Sequence, residues 1–417
     1  MLEVLRNPTY GKLFSAQVVA LLGTGLLTIA LGLLAFDIAG GDAGIILGTA
    51  LTIKMLAYVG VAPVIAALTG HLPRKLVLIS ADMLRAAVAI SLPFVTEAWQ
   101  IYLLIFVLQA ASATFTPAFQ AVIPEVLPDE AQYTRALSLS RLAYDLEALV
   151  SPMLAAALLT VITYNNLFVG TFLGFVGSAL LVIGTRFPKI DPSRPAPFFD
   201  RLTRGVRVFW RVPELRSLLA LNLVVATSTG MVIVNTVVLV QGQLGRPQTD
   251  VAILLAAYGT GSMIVALALP RVLDKLPDRT VMLTGAFILP LGLVAAAALI
   301  ASPASASTWV GLIGTWCLLG AATSLILTPS ARLLRRASNE TNRPAVFAAQ
   351  FSLSHACFIL TYPAAGTLGA WIGLPVTARL LAGVGVAAAI AAWLAWARST
   401  PAGALTKRES ETAASTQ

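Results

Sequence analysis

Two stretches of the sequence decide the fold: GHLPRKLVL at Gly70–Leu78 and DKLPDRTVML at Asp274–Leu283. Each follows one long apolar run and precedes another, so we interpret each as a short loop between two membrane-spanning helices. The shared positions lie 204 residues apart, and they are Leu72 and Leu276, Pro73 and Pro277, and Val77 and Val281. A recurrence of this kind indicates that the chain contains two related halves.

Three further matches support the internal duplication. They are Gly23-Thr24-Gly25 with Ser228-Thr229-Gly230, Thr116-Pro117 with Thr328-Pro329, and Pro152 with Pro363. Together with the loop, the four pairs have offsets from 204 to 212 residues and fall in corresponding apolar runs. Two halves related in this way place a solute site near mid-membrane at their interface, and rocking one half against the other exposes that site to each side in turn.

The composition indicates that lipid, rather than water, surrounds most of the protein. Of 417 residues, 58% are hydrophobic and 11% are charged, and the mean hydropathy is +0.85. A soluble domain is closer to half apolar and a quarter charged. The formal charge of +9 does not indicate nucleic acid as a partner, because the basic residues lie in short loops between apolar runs. Two cysteines, Cys317 and Cys357, and two histidines, His71 and His355, leave little scope for a disulfide framework or a metal site.

Twelve apolar runs are long enough to cross a bilayer core of roughly 30 Å as helices. Helix is the required conformation, since unpaired backbone groups are costly in hydrocarbon. The runs are 13–37, 44–69, 76–95, 99–122, 135–163, 166–187, 216–241, 250–272, 280–301, 308–330, 345–371 and 376–398. We therefore expect an all-α integral membrane protein with twelve transmembrane helices in two pseudo-symmetric six-helix bundles.

The two bundles are expected at residues 1–187 and 216–398. A cytoplasmic linker at 188–215 joins them, and a disordered cytoplasmic tail follows at 399–417. After a cluster of prolines the linker continues as PFFDRLTRGVRVFWR, in which the apolar residues and four arginines fall on opposite faces of a helix. Such a helix is expected to lie on anionic membrane lipid.

The distribution of basic residues predicts the orientation in the membrane. The side expected to be cytoplasmic holds Arg74, Lys75, Arg135, the linker from Arg186 to Arg216, Arg271, Lys275, Arg279, Arg332, Arg335, Arg336, Arg343, Arg398, Lys407 and Arg408. The opposite side holds only Arg246 and Arg379, beside the acids Asp37, Asp42, Glu97 and Asp250. Both termini are therefore expected in the cytoplasm, which requires an even number of spans.

The repeated halves and the loop after the second run resemble the Major Facilitator Superfamily, and within it the exporters of the drug:proton antiporter type. The family loop has the form Gly-x-x-x-Asp-Arg-x-x-Arg-Arg/Lys. Here the basic pair is present as Arg74 and Lys75, whereas Gly70 stands at the acidic position. The second half keeps an acid and a base as Asp274 and Lys275. In the family this acid pairs across the contact between the halves, so the resemblance implies a role in gating.

Charged residues inside the apolar runs are the first candidates for function, because an ionisable group at mid-bilayer is costly. Lys54 lies about ten residues into the second run, roughly 15 Å deep at 1.5 Å per residue. The fifth run carries Arg141, Asp145 and Glu147. Arg141 and Asp145 share a helix face. Glu147 points roughly 200° around from Asp145, so the two acids cannot both face one cavity directly.

Two interpretations of these charges remain open. In the first, Asp145 or Glu147 carries a proton, and Lys54 is the opposing charge or a contact for an anionic substrate. Burial favours the neutral carboxyl and a nearby cation favours the ionised one, so a moving partner can switch protonation. In the second, the pairs Arg141–Asp145 and Lys54–Glu147 form a structural ion network that orients the helices of the first half.

Other polar residues have candidate roles in the pathway or the gates. The residues expected to line the substrate or proton pathway, besides the four charges, are Gln17, Asn222, Asn235 and His355, with Gln109 and Gln350 as further uncharged candidates. The residues expected in gating loops are Arg74, Lys75, Asp82, Arg85, Asp274, Lys275 and Arg279. For Asp82 and Arg85 a structural role near the loop is the alternative.

The sequence predicts a secondary transporter rather than an enzyme. It contains no Gly-Lys-Ser/Thr phosphate loop and no Cys/His cluster with metal-ligand spacing, so no cofactor is expected. The resemblance implies proton-coupled efflux of a small amphipathic solute by a monomer in a bacterial inner membrane. A siderophore or metal-cation exporter and a nutrient uptake permease are the alternatives. A receptor or scaffold without transport would be expected to carry a large soluble module.

Overall fold

A computed structural model describes residues 2–61, 73–127, 129–185, 207–273, 275–338 and 343–397. These residues form helices and short connections, with no strand among them. The twelve α-helices are α1 Pro8–Ala39, α2 Ala43–Leu56, α3 Arg74–Ser91, α4 Ala98–Val126, α5 Glu130–Leu158, α6 Asn165–Ile183, α7 Pro213–Val237, α8 Gln248–Leu273, α9 Asp278–Ala301, α10 Ala306–Arg336, α11 Arg343–Ile372 and α12 Leu374–Ala397. One turn of π-helix extends α2 at Ala57–Val61, and another extends α7 at Val238–Gln243.

Three of the helices begin at a polar side chain that satisfies free backbone N–H groups of the first turn. Asn7 accepts hydrogen bonds from the N–H groups of Thr9 (3.0 Å) and Tyr10 (3.2 Å) at the start of α1. Asp129 caps α5, and Ser305 caps α10. These caps lie outside the apolar runs, so most of the helices extend a few residues beyond the predicted spans.

Each predicted apolar run corresponds to one helix, so the prediction of twelve helices is confirmed. Nine segments of the described chain are long and apolar enough to cross a membrane, and the first of them, Pro8–Gly60, contains both α1 and α2. The predicted run 44–69 is shorter in its described part, because α2 ends at Leu56 and only the π turn follows before residue 62. The run predicted at 135–163 is the helix Glu130–Leu158.

The two halves pack by the same plan. In the first half α1 packs on α5 and α6, and α3 packs on α4 and α6. In the second half the corresponding helix α7 packs on α11 and α12, and α9 packs on α10 and α12. A hydroxyl joins the equivalent helix pairs: Thr171 donates to the carbonyl of Gly23 (2.8 Å), and Ser217 donates to the carbonyl of Ala392 (3.0 Å).

The halves meet along two seams, α2 against α11 and α5 against α8. Because successive helices alternate in direction, one end of the bundle carries the α1–α2, α3–α4, α5–α6, α7–α8, α9–α10 and α11–α12 connections. We call this the hairpin end, and we call the opposite end, which carries Asn7 and Ala397, the termini end. The predicted domain limits near residues 187 and 398 lie outside the described residues and stay predictions. In the described part of the linker, Phe209 is buried and Trp210 is exposed.

Candidate functional site at the contact between the halves

Lys54 lies in α2 beside a small cavity in the first half. The cavity holds about 20 Å³, which is enough for about one water molecule. Its walls come from α1, α2 and α4, and they are Thr24, Leu27, Thr28, Leu31, Leu51, Lys54, Ile105 and Gln109. The prediction that Gln109 lines a cavity agrees with this placement. An ammonium group inside a helix bundle needs an opposite charge nearby to compensate its own.

Glu147 of α5 is the acid whose charge influences the Lys54 ammonium, although the two side chains, both among the described residues, form no direct ion pair in this structure. The carboxylate fits against α1 because Gly25 has no side chain. A Cβ added at Gly25 would lie 2.7 Å from the Glu147 Oε1 atom. Ser151 follows Glu147 by one helical turn and is buried, with its hydroxyl oxygen lacking a hydrogen-bond partner among the described residues. Charge and an available hydroxyl therefore meet where α1 and α5 pack.

Aromatic rings extend this pair across the seam to the second half. Tyr58 lies in the π turn after α2, and the Lys54 Nζ atom lies 5.9 Å from the centre of its ring. On the other side of the seam, His355 and Phe351 of α11 meet Tyr58 edge to face, with centroid distances of 5.5 and 6.1 Å. Single π turns often occur at functional sites, because they shift a helical side chain out of its regular position.

We call Lys54, Tyr58, Glu147, Phe351 and His355 the central cluster. His355 and Phe351 are tilted against each other at 4.2 Å, and the His355 Nδ1 atom lies 2.6 Å from the Phe351 carbonyl oxygen. Phe351 is 45% exposed, so its ring is accessible. The cluster brings together an ammonium group, a carboxyl group and three rings from three helices, and a cation beside an aromatic face gains cation–π attraction.

Three of the predicted pathway residues lie together in this cluster: Lys54, Glu147 and His355. The sequence-based hypothesis did not include Tyr58 or Phe351. An aromatic residue four positions after a membrane-embedded lysine is a signal that could have identified Tyr58. The side chains of Arg141 and Asp145 are outside the described part of the structure, so their predicted roles stay predictions.

The remaining polar candidates form hydrogen bonds within one half. Gln17 accepts a hydrogen bond from Ser140 (3.0 Å), which joins α1 to α5. Asn222 and Gln350 form a reciprocal amide pair at 3.2 and 3.3 Å between α7 and α11. Asn235 donates to the Ala365 carbonyl (2.9 Å). These bonds hold helices together, and Gln350 directly precedes Phe351 of the central cluster.

At the termini end of the first half, the predicted gating residues make contacts inside that half. The Lys75 Nζ atom donates to the carbonyls of Ile183 (2.6 Å) and Thr185 (2.9 Å). Lys75 therefore caps the end of α6. Asp82 is fully buried and pairs with Arg85 and with the hydroxyl of Ser178 (2.7 Å). Arg74 opens α3.

The Arg85 guanidinium also lies between two rings, 4.3 Å from Phe115 and 4.6 Å from Phe175. A guanidinium between aromatic faces gains cation–π attraction in addition to its ion pair. The Asp82–Arg85 pair therefore ties α3 to α4 and α6.

At the termini end of the second half, an acid that the sequence analysis did not single out forms ion pairs. Asp278, the first residue of α9, is buried and forms ion pairs with Arg336 and Arg332 (3.5 Å) of α10. Lys275 and Arg279 are exposed, and Asp274 lies outside the described residues. Asp278 directly follows the repeated Pro277, so its place in the loop motif could have identified it.

At the hairpin end, α2 and α11 approach so closely that Gly48 and Gly366 leave no room for a side chain. A Cβ at Gly48 would lie 2.6 Å from the Tyr362 carbonyl oxygen, and one at Gly366 would overlap the Gly44 carbonyl oxygen. We call Gly44, Gly48 and Gly366 the glycine contact. It brings the two halves together backbone to backbone.

Two matched six-helix halves with a charged, aromatic cluster between them define a multi-pass membrane transporter. The model of the family described as Major Facilitator Superfamily matches residues 13–245 and again residues 218–417. The chain therefore belongs to the Major Facilitator Superfamily, as its sequence predicted. Its family and its structural neighbours are membrane transporters, which confirms that the chain is not an enzyme.

Several curated bacterial proteins are similar in sequence. Macrolide efflux protein A of Streptococcus pyogenes is 28% identical over 215 residues, which cover 50% of this chain and 52% of that protein. Macrolide efflux protein A of Enterococcus faecalis is 30% identical over 186 residues, 42% of this chain and 57% of that protein. The MFS-type transporter YfiS of Bacillus subtilis (strain 168) is 24% identical over 326 residues, 76% of this chain and 77% of that protein. The chain thus spans about half the length of the macrolide efflux proteins it matches.

Solved structures share the fold across nearly the whole chain. A bacterial homolog of the human lysosomal transporter Spinster, in an inward-facing and unoccupied conformation, superposes with a TM-score of 0.74 at 14% identity, covering 95% of this chain and 99% of that one. The nucleoside transporter NupG gives a TM-score of 0.69 at 13% identity, covering 94% of this chain and 100% of that one. At these identities the likeness establishes the fold, and it confirms the predicted fold class.

Proposed function

We propose that this transporter exports a small amphipathic solute in exchange for protons, by alternating access around the central cluster. The observation that carries the proposal is that Lys54 and Glu147 of the first half adjoin Tyr58, which meets the rings of α11 across the seam. A movement of one half against the other changes this contact. The similarity to macrolide efflux proteins favours export over uptake.

Glu147 is the proton carrier in this proposal. A carboxyl group in an apolar surrounding favours its neutral form, and a nearby cation favours the ionised form. If rocking of the halves changes the distance between Lys54 and Glu147, the carboxyl group binds a proton in one conformation and releases it in the other. Gly25 supports this role, because it leaves room for the carboxylate against α1.

The rings of the central cluster supply the contact for the solute. Tyr58, Phe351 and His355 offer apolar faces, and Phe351 is accessible. An amphipathic solute would place its apolar part on these rings and its polar part towards Lys54 and Glu147. Such a site binds many shapes through apolar contact and selects among them with a small number of polar groups.

The glycine contact closes the hairpin end in this conformation, and we propose that this end faces outward. The proposal follows from the excess of basic residues at the termini end, since such residues remain on the cytoplasmic side. The glycine contact would open, and contacts at the termini end would close, in the alternate conformation. We further propose that the protein is a monomer in the bacterial inner membrane, where a proton gradient is available.

Transport into inverted membrane vesicles tests the function. The vesicles contain the full-length protein, are energised to an acidic interior, and receive amphipathic dyes and macrolides as probes. We expect probe accumulation that an uncoupler collapses, and a proton leak signal when probe is added. Uptake that instead runs inward in whole cells would favour the nutrient permease, and uncoupler-resistant accumulation would contradict proton coupling.

A variant separates the central cluster from the general fold. Glu147→Gln keeps the size of the side chain but cannot exchange a proton at neutral pH. We expect it to bind probe and to lose uncoupler-sensitive accumulation. Asp42→Asn is the matched control, because Asp42 is an exposed acid in the α1–α2 connection. Full antiport by Glu147→Gln would contradict the role of Glu147 as proton carrier. Asp145 would then be the remaining candidate for that role.

A further inference from the structure

Arg246 is one of two arginines at the hairpin end, where the other charges in the connections are mainly acidic. A basic residue on this side opposes the charge bias that orients the chain. The central cluster does not include Arg246, since it lies in the α7–α8 connection at the membrane surface. The position of Arg246 at the hairpin end therefore needs a physical explanation of its own.

The backbone around Arg246 is held in a defined turn. The π turn Val238–Gln243 ends α7, and Gly245 follows with φ of +60°, a conformation that glycine adopts without strain. The Arg246 N–H then donates to the Val240 carbonyl (2.9 Å), and Pro247 fixes the next residue before α8 begins. This turn restricts where the Arg246 side chain can point.

The side chain lies over an aromatic ring and beside an acid. The Arg246 guanidinium carbon is 4.1 Å from the ring centre of Trp309 in α10. Its Nε atom donates to the Asp250 Oδ2 atom at 2.5 Å. A guanidinium has five N–H donors, so the bond through Nε leaves the donors of the two terminal nitrogens for a ligand.

Next to this stack is a cavity of about 180 Å³, with room for a group the size of several water molecules. Its lining residues are Leu244, Arg246, Ala304, Ser305 and Trp309. They lie where the membrane-spanning segments ending at Gln243 and beginning at Gln248 and Ala306 reach the surface. Tryptophan and arginine are the residue types that meet lipid headgroups at this depth.

We propose that this cavity binds the headgroup of a zwitterionic phospholipid. The terminal nitrogens of Arg246 bind the phosphate in the bidentate geometry that guanidinium favours. Asp250 keeps the net charge of the site near zero, so a headgroup that carries both a phosphate and an amine fits it better than one with phosphate alone. Trp309 forms the apolar floor beside the glycerol region.

The first half contains no counterpart of this site in its described residues. The corresponding α1–α2 connection, Gly40–Asp42, carries an acid and no arginine. A lipid would therefore bind only to the second half of the transporter, at its hairpin end. The cavity lies at the hairpin end of the second half, whereas Lys54 and Glu147 lie in helices of the first half. Lipid binding at this cavity therefore does not depend on the proposed transport mechanism.

The test uses the full-length protein in lipid nanodiscs and native mass spectrometry. Phosphatidylethanolamine, phosphatidylglycerol, soluble phosphoethanolamine and inorganic phosphate serve as probes, with thermal melting as the second readout. We expect wild-type protein to retain phosphatidylethanolamine in preference to phosphatidylglycerol. Arg246→Gln should lose at least tenfold in this retention, and Arg379→Gln, the other hairpin-end arginine, should match wild type.

Asp250→Asn gives an independent measure if Arg246→Gln folds poorly. Removing the acid leaves the Arg246 charge uncompensated, so retention should shift towards the anionic phosphatidylglycerol. Equal lipid retention by wild type and Arg246→Gln would overturn the proposal, as would an unchanged lipid preference in Asp250→Asn. Protection by inorganic phosphate or phosphoethanolamine equal to that by lipid would show a site for free anions instead.

Discussion

Lys54 and Tyr258 occupy corresponding positions in α2 and α8, 204 residues apart, and their surroundings differ in charge. Lys54 adjoins a cavity with Thr24 and Gln109, and it meets the charge of Glu147. The Tyr258 hydroxyl instead donates to Thr323 (3.1 Å) and shares a hydrogen bond with Thr229 (3.3 Å).

The two sets come from corresponding helices, since α1, α2 and α4 match α7, α8 and α10. The first half contains two ionisable groups, of which Lys54 adjoins a cavity, whereas in the second half neutral hydroxyls hydrogen-bond to one another. A satisfied neutral network stiffens a helix bundle, and a buried charge pair responds to any change in distance. In the proposed mechanism, coupling would therefore belong to the first half, and the second half would supply a rigid frame for the rings of α11.

The largest expected effect follows from removing the acid of the first-half pair. Glu147→Gln should reduce uncoupler-sensitive accumulation in inverted vesicles to the level of vesicles without the protein. Lys54→Met should also stop coupling, because it leaves Glu147 without its partner. If Tyr258→Phe abolished coupling as completely as Glu147→Gln, the assignment of coupling to the first half would be wrong.

The next effect concerns the buried ion pairs at the termini end. Asp82→Ala leaves Arg85, whose side chain is 6% exposed, without a partner, and should cost about 3–5 kcal/mol of stability. Asp278→Ala leaves Arg332 and Arg336, which are 50% and 56% exposed, to solvent, and should cost about 1 kcal/mol. Thermal melting in detergent measures both. A larger loss of stability for Asp278→Ala than for Asp82→Ala would contradict this prediction.

A smaller effect on transport is expected from the glycine contact. Gly48→Val places atoms against the Tyr362 carbonyl and should hold the hairpin end apart, which shifts the population away from the closed form. Transport should fall several-fold, and a cysteine introduced near the contact should react faster with a membrane-impermeant reagent. Gly314→Ala is the control, since an added Cβ there meets nothing within 4 Å. Unchanged reactivity in Gly48→Val would contradict a closing role.

The smallest effect is predicted for the neutral network of the second half. Tyr258→Phe removes one hydroxyl from Thr229 and Thr323, and should lower stability by about 0.5–1.5 kcal/mol. Coupling should persist, with accumulation still sensitive to an uncoupler. Thermal melting and the vesicle assay, carried out on one preparation, separate these two quantities.

The sequence predicted the fold well because hydrophobic length and the repeat are local signals. The twelve runs and the family were confirmed, and the structure places three of the separately named candidates, Lys54, Glu147 and His355, in one region. Tyr58 was not predicted, because its position depends on the π turn that follows α2. A π turn has no strong signature in a single sequence, and Phe351 becomes relevant only when α2 and α11 are placed against each other.

The gating residues were harder to predict for a related reason. The loop motif indicated Asp274, which lies outside the described residues and stays a prediction. It did not indicate Asp278, which pairs with the arginines of α10. Spacing within a motif cannot determine which of two nearby acids faces the neighbouring helix, since that depends on where α9 begins. Lys75 likewise caps α6, a contact between residues 108 positions apart that no local pattern specifies.

The glycine contact has a consequence for how such a protein can diversify. Closure at the hairpin end is made by backbone atoms of α2 and α11, so it depends on the absence of side chains rather than on their identity. In the proposed mechanism, recognition instead depends on the side chains of the central cluster. The two properties can therefore be altered separately: exchanging Tyr58 or Phe351 should yield variants with new solute preferences that still open and close on the same hinge, which makes these positions suitable for directed evolution.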